Sequence, residues 1–338
     1  MTGQPMRIPA VEYLRGLASL AVAWFHMTNG FNGSWVAWLG SGGWLGVEAF
    51  FVISGFVIPF ALWTSYSAYR FADLPHFLGR RVLRIEPPYI ISILIVLVLG
   101  FVSSLVPGFQ GQQPDFHLGQ IAAHLFYLVP FTDYEWLQPV YWTLAYEFAF
   151  YITMAIFFPN LSGANRIVHF LSAVGFIVIL VGFGYASELV LLFVMGFVVF
   201  RGLAKQDNKV TSLMVLASCA LVMILRDATA QALVGFGTAL VILFHTKIVR
   251  LFRYAEPILL WFGRISYSLY LIHVPIGGRV VNLGKRFVAD DFGYMVVALA
   301  GLGASIAAAF VFYKMVEVPA IKLAQKLLPS RHSEAQKS

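Results

Sequence analysis

The stretch YWTLAYEFAFY (141–151) holds one carboxylate, Glu147, among aromatic and aliphatic residues. In water such a side chain points outward and is solvated. In a bilayer the outward direction is hydrocarbon, so the stretch cannot be read until the chain's solvent is known. Composition settles that question: 59% of the 338 residues are hydrophobic, 16% aromatic and 12% charged, with a mean hydropathy of +0.79. Soluble domains carry roughly a quarter charged residues. The apolar runs between the charge clusters approach the ~20 residues that cross a hydrocarbon core. A soluble domain with an apolar core does not fit these values. The chain reads as an all-α, polytopic integral membrane protein.

Ten spans follow from the apolar runs: 12–29, 44–63, 87–106, 140–158, 166–183, 187–201, 211–226, 231–246, 256–276 and 294–317. The segment 118–130 reads as an additional short or re-entrant helix. No linker divides the chain, so residues 1–325 form one membrane-embedded domain, followed by a short basic cytoplasmic tail, 326–338. The first span lacks a small-x-small cleavage pattern and reads as a retained helix. The lone Cys219 excludes an internal disulfide. Lys and Arg then set the orientation. Clusters such as Arg80–Arg81–Arg84, Arg201–Lys205–Lys209 and Lys247–Arg250–Arg253 share the side of the N-terminus, whereas Arg226, Arg279, Lys285 and Arg286 fall opposite. Both termini are therefore expected in the cytoplasm. The net charge of +7 is accounted for by topology and by anionic lipid headgroups, with no nucleic-acid partner.

Helical rise converts these spans into depths. His26 lies roughly 21 Å beyond Glu12, in the outer half; Glu48 lies about 6 Å and Glu147 about 10 Å below the outer surface; His273 lies about 25 Å along the ninth span. Four ionisable residues are thus expected at one outer level. Arg15, the RRVLR of 80–84, Arg264 and Glu317 are expected near the inner surface. Charged groups inside a bilayer are costly unless paired or wetted, so they face a bundle interior or cavity. Glu147 is expected to do so. The alternative is polar bonding between helices.

The motifs resemble those of membrane acyltransferase family 3. EYLRGLASLAVAWFH (12–26) is similar to its opening, an Arg followed eleven residues later by a His. GWLGVEAFFVISGFVI (43–58) resembles its second-helix signature, with Glu48 where Asp is the common choice. RRVLRIEPPY (80–89), YWTLAYEFAFY, GRISYSLYLIH (263–273) and EVP (317–319) complete the series in family order. The resemblance implies an inner-membrane enzyme of bacteria. It would move an acyl group, usually acetyl, from cytoplasmic coenzyme A to a sugar hydroxyl of a surface glycan or glycolipid. The chain resembles the stand-alone type, without an appended extracytoplasmic domain.

The residues fit that chemistry. Arg80 and Arg84 are four apart on one helix face with Arg81 beside them, suited to phosphate contacts with acetyl-CoA; Arg15 belongs to the same inner set. His26 is the expected general base for the acceptor hydroxyl, with Glu147 or Glu48 orienting its ring. His273 is either a second acid–base group or a satisfied bundle histidine. Trp142 and Tyr141 are candidates for sugar contact, against ordinary anchoring at the interface. Ser54 and Ser266 read as packing positions more readily than as nucleophiles. No histidines pair at metal-ligand spacing within a span, so no metal is expected. The oligomeric state is not readable. A proton-coupled transporter or flippase of a glycan intermediate is the alternative function.

Overall fold

The computed structural model describes residues 8–66, 68–105, 117–161, 166–182 and 187–329. The basic tail 326–338 therefore lies mostly outside the described residues. All regular structure among these residues is helical. In chain order the helices are α1 (Pro9–Thr28), α2 (Trp35–Gly40), α3 (Gly46–Ser65), α4 (Leu74–Ser104), α5 (Leu118–Leu125), α6 (Trp142–Leu161), α7 (Arg166–Gly182) and α8 (Ser187–Leu203). They continue with α9 (Lys209–Ile224), α10 (Thr229–Leu243), α11 (His245–Leu251), α12 (Glu256–Ile272), α13 (Gly278–Gly284), α14 (Asp291–Phe312) and α15 (Val318–Leu327).

Each of the ten segments marked by the sequence falls on a helix, and 118–130 yields the short α5 followed by a 3-10 turn, Val129–Phe131. Four helical stretches are long and apolar enough to cross a membrane: Trp35–Ser65, Phe71–Ser104, Trp142–Leu161 and Asp291–Leu327. A fifth is added if α10 and α11, bent by 88° at their junction, count as one broken span. The arginine motif of 80–84 lies inside α4, which runs 31 residues and carries Pro87 and Pro88 in its interior.

Close helix approach depends on small residues, the usual basis of helix association in lipid. A methyl group added at Gly263 of α12 would run into the Glu12 carbonyl of α1, and one at Gly16 into the backbone of Gly263. On α3, added methyls at Gly43-proximal Gly46 and at Gly55 would strike the backbone of Ala18 in α1 and of Phe193 in α8. Helices α1 and α12 run parallel, with Gly16 beside Gly263 and His26 beside His273. Helix α3 runs antiparallel to α1, since Gly43 faces Ala21 and Gly46 faces Ala18. The end holding the start of α1 is called inner below, after the side its basic residues mark.

The topology is open to a direct test. Cysteines at Ser41 and Ala289 should react with an impermeant thiol reagent added outside cells, and cysteines at Ala72 and Gln206 should not. All four positions are exposed. The reverse pattern would invert the bundle.

Candidate functional site

One cavity runs between α1, α3, α4, α6 and α12, with about 990 Å³ of empty space including its open mouth. Its inner end is lined by Arg15, Arg81, Arg84 and Glu317, its middle by Ser54, Glu147, Tyr151, Ser266 and Tyr267, and its outer end by Val47, Phe50, Thr143 and Tyr270. Helical spacing explains this lining. Thr143, Glu147 and Tyr151 are successive i, i+4 positions on α6, so they form one stripe. Ser266 and Tyr270 do the same on α12. Arg81 and Arg84, three apart, share a face of α4. Arg80 does not line the cavity, so the facing pair is Arg81 and Arg84 rather than Arg80 and Arg84.

Glu147 is turned inward, as its setting demanded. Ser54 Oγ donates to its Oε1 at 2.7 Å, and the Tyr151 hydroxyl donates to the same oxygen. The Arg81 guanidinium lies 5.5 Å from the ring centroids of both Phe77 and Tyr151. Stacking on ring faces leaves the planar edge of the guanidinium, with its N–H donors, available to an anion. At the inner end Glu317 is buried and accepts from Ser268 Oγ at 2.5 Å. Arg264, expected near Glu317, is exposed and does not line the cavity. Tyr267 donates from α12 to the Ile85 carbonyl at 3.0 Å, beside the Pro87–Pro88 pair.

His26 meets His273, not a carboxylate. His26 Nδ1 lies 2.9 Å from the Val22 carbonyl and 3.2 Å from His273 Nε2, while His273 Nδ1 lies 2.9 Å from the Leu269 carbonyl. A carbonyl oxygen only accepts, so the proton of each neutral ring sits on Nδ1. His26 then donates to both Val22 and His273, and its Nε2 is left as an unprotonated acceptor. Neither of the two expected carboxylates bonds the pair. Thr143, one turn outward of Glu147, bonds Tyr270, which lies one turn inward of His273. Seven residues of helix, about 10 Å, therefore separate Glu147 from the histidine pair along the bundle axis.

Glu48 is buried in the first turn of α3, and its Oε2 has no hydrogen-bond partner among the described residues. It shares the stripe of Val52 and Gly55, which meets α8, whereas Val47, Phe50 and Ser54 face the cavity. Its depth suits His26; its direction does not. Tyr141 is fully buried, its hydroxyl 2.9 Å from Ser92 Oγ, and Trp142 is half-buried against Phe51 and Tyr146. Neither stands free at the outer surface. No group of three metal-ligating side chains occurs among the described residues. The sequence reading missed Tyr151, Tyr270 and Thr143. Their signal was present as i±4 and i−3 offsets from Glu147 and His273, but aromatic residues at such offsets are common in any packed span.

Comparison with known proteins places the chain in a family. A family model described as an acyltransferase domain matches residues 8–314. The chain belongs to acyltransferase family 3. Over 93 residues it is 36% identical to the O-acetyltransferase OatA of Staphylococcus aureus, and over 91 residues 34% identical to the peptidoglycan O-acetyltransferase OatA of Listeria monocytogenes. Those matches cover 28% and 27% of this chain, but only 14% and 13% of the relatives. No solved structure matches it.

The Ser54–Glu147 bond joins α3 to α6, and interhelical bonds in membranes average about 0.6 kcal/mol and reach about 1.7 kcal/mol. Ser54→Ala should lower unfolding stability in bicelles by about that much. An unchanged value would mean that the bond has no part in holding the two helices.

Proposed function

We propose that this family member is an O-acyltransferase of a bacterial cytoplasmic membrane. It would take an acyl group, acetyl in the simplest case, from cytoplasmic acyl-CoA and pass it to a hydroxyl of a surface polysaccharide, lipopolysaccharide or lipid-linked sugar. One observation carries the reading. A cavity with three arginines at its inner end reaches to within one helical turn of the His26–His273 pair, in which the Nδ1 of each ring lies on a backbone carbonyl.

Coenzyme A carries its phosphates at one end of a long flexible arm and its thioester at the other. Arg81, Arg84 and Arg15 suit the phosphates by charge and by planar donor geometry. The arm then extends along the cavity past Glu147, and the acceptor arrives from the outer side. The acceptor O–H gives its proton to His26 Nε2 while its oxygen bonds to the thioester carbonyl carbon. The C–S bond breaks, and the departing thiolate takes the proton from the imidazolium, leaving His26 neutral for the next turnover. The imidazolium is stabilised through Nδ1–H, by the Val22 carbonyl and His273 Nε2. His273 fills the orienting role that a carboxylate has in other bases.

The two ends are tested separately. Arg81→Ala and Arg84→Ala should each raise the KM for acetyl-CoA at least severalfold in folded protein, and Lys should rescue only part. Arg80→Ala should leave that KM near wild type. Equal effects at all three positions would reduce the motif to topology anchoring.

His26→Gln keeps the size and some hydrogen bonding but is no base near neutral pH. It should cut turnover by roughly 10²–10⁴-fold, the scale of general base catalysis, while acetyl-CoA still binds. The His26→Gln/His273→Gln double variant should be little worse than His26→Gln alone if the two rings act as a unit. Near wild-type turnover in well-folded His26→Gln would remove His26 from the chemistry.

A further inference from the structure

The arginine-lined cavity and the histidine pair are one residue apart, and that residue is Tyr270. Its ring is 6% exposed, lines the outer end of the cavity, and lies 6.1 Å, centroid to centroid, from the His273 ring. Neither His26 nor His273 lines the cavity. We propose that Tyr270 is a gate and positioning residue, which closes the outer end of the donor cavity and must swing aside for a thioester to reach His26. The role in transfer rests on the acyltransferase reading above; the barrier itself does not.

The closed position has a latch. The Tyr270 hydroxyl lies 2.7 Å from Thr143 Oγ1 and 3.2 Å from the Val140 carbonyl, and Thr143 Oγ1 lies 2.9 Å from that same carbonyl. Two hydroxyl protons are thus shared among three oxygens, bridging α12 to the start of α6. On the other side Phe50 of α3 meets the ring edge to face at 5.6 Å. The latch consists of neutral hydrogen bonds, with no buried ion pair to break, so it suits a part that opens in each cycle.

The backbone offers a place for the motion. Three residues after Tyr270, α12 gives way to a π-helical turn, His273–Gly277. Such turns break the α-helical bonding register and are frequent at functional sites. Rotation of the segment around Tyr270 and His273 is therefore absorbed locally, without unwinding α12 against α1. The chemistry also calls for a barrier. A thioester beside a base, with water present and no sugar, would be hydrolysed to the free acid and thiol. Holding it one turn short of His26 until the acceptor binds confines the carbonyl to productive encounters.

Two measurements test the proposal, in a chain whose native thiol is removed as Cys219→Ser. In inside-out membrane vesicles, a cysteine at His26 should resist a small anionic methanethiosulfonate when Tyr270 is present and become modified with Tyr270→Ala. Equal modification in both backgrounds would overturn the barrier whether or not the protein is an acyltransferase. In the purified enzyme, Tyr270→Phe and Thr143→Val should raise acceptor-independent release of CoA from acetyl-CoA severalfold. The two together should do little more than the stronger one. Adding His26→Gln to Tyr270→Phe should abolish the extra hydrolysis, which a purely structural weakening would not. Unchanged hydrolysis in folded Tyr270→Phe would overturn the gate's part in transfer. A wild-type protein that shows the labelling difference but never releases CoA with any glycan acceptor would instead remove the acyltransferase reading and leave the barrier standing.

Discussion

The contact between α1 and α12 governs the site. Gly16 and Gly263 let the two backbones approach more closely than any side chain would allow. Because the helices run parallel from that point, residues ten further along each stay in register, and His26 arrives at His273. Arg15 and His26 are eleven residues apart, three turns with about 20° left over, so they lie on nearly the same face of α1 at different heights. One helix thereby contributes to both the inner, phosphate-suited end of the site and the outer base. A displacement of α1 from α12 would disturb both at once.

The arrangement separates what must be charged from what must be neutral. The arginines and Glu147 share a cavity with hydroxyls and an open mouth, where charge is tolerated. The histidines sit beyond Tyr270 among apolar helices, where each neutral ring spends its Nδ1 proton on a carbonyl of its own preceding turn. A lasting positive charge there would be costly; a transient one is spread over two acceptors already in place.

Much of this was legible in the sequence. Apolar run length located the helices, and the cost of a carboxylate in lipid turned Glu147 inward. What the depth reading lacked was azimuth. Glu48 stands at a suitable height, but one residue is 100° of rotation, so its neighbour Val47 lines the cavity while Glu48 does not. Glu147 and the histidines, expected at one level, lie about 10 Å apart along the axis. Val140 and Tyr141 are buried, with Tyr127 and His124 from the α5 region packed in the same layer. That layer covers the start of α6, so residue 140 does not mark the outer limit of the bundle. Side-chain periodicity within one span carries no information about such a layer, because it comes from a segment too short to register as a span.

The π-helical turn at His273–Gly277 has a second counterpart, Tyr313–Glu317, which delivers Glu317 to the inner end of the cavity. Each such turn is equivalent to one residue inserted into an α-helix. Loss of a single residue from either would restore regular winding and turn everything downstream by about 100°, carrying Glu317 off the cavity or parting α13 from α14. Chain length in these two pentapeptides is therefore constrained alongside the identity of His273 and Glu317. A change of spacing there would rearrange the site even with every side chain kept.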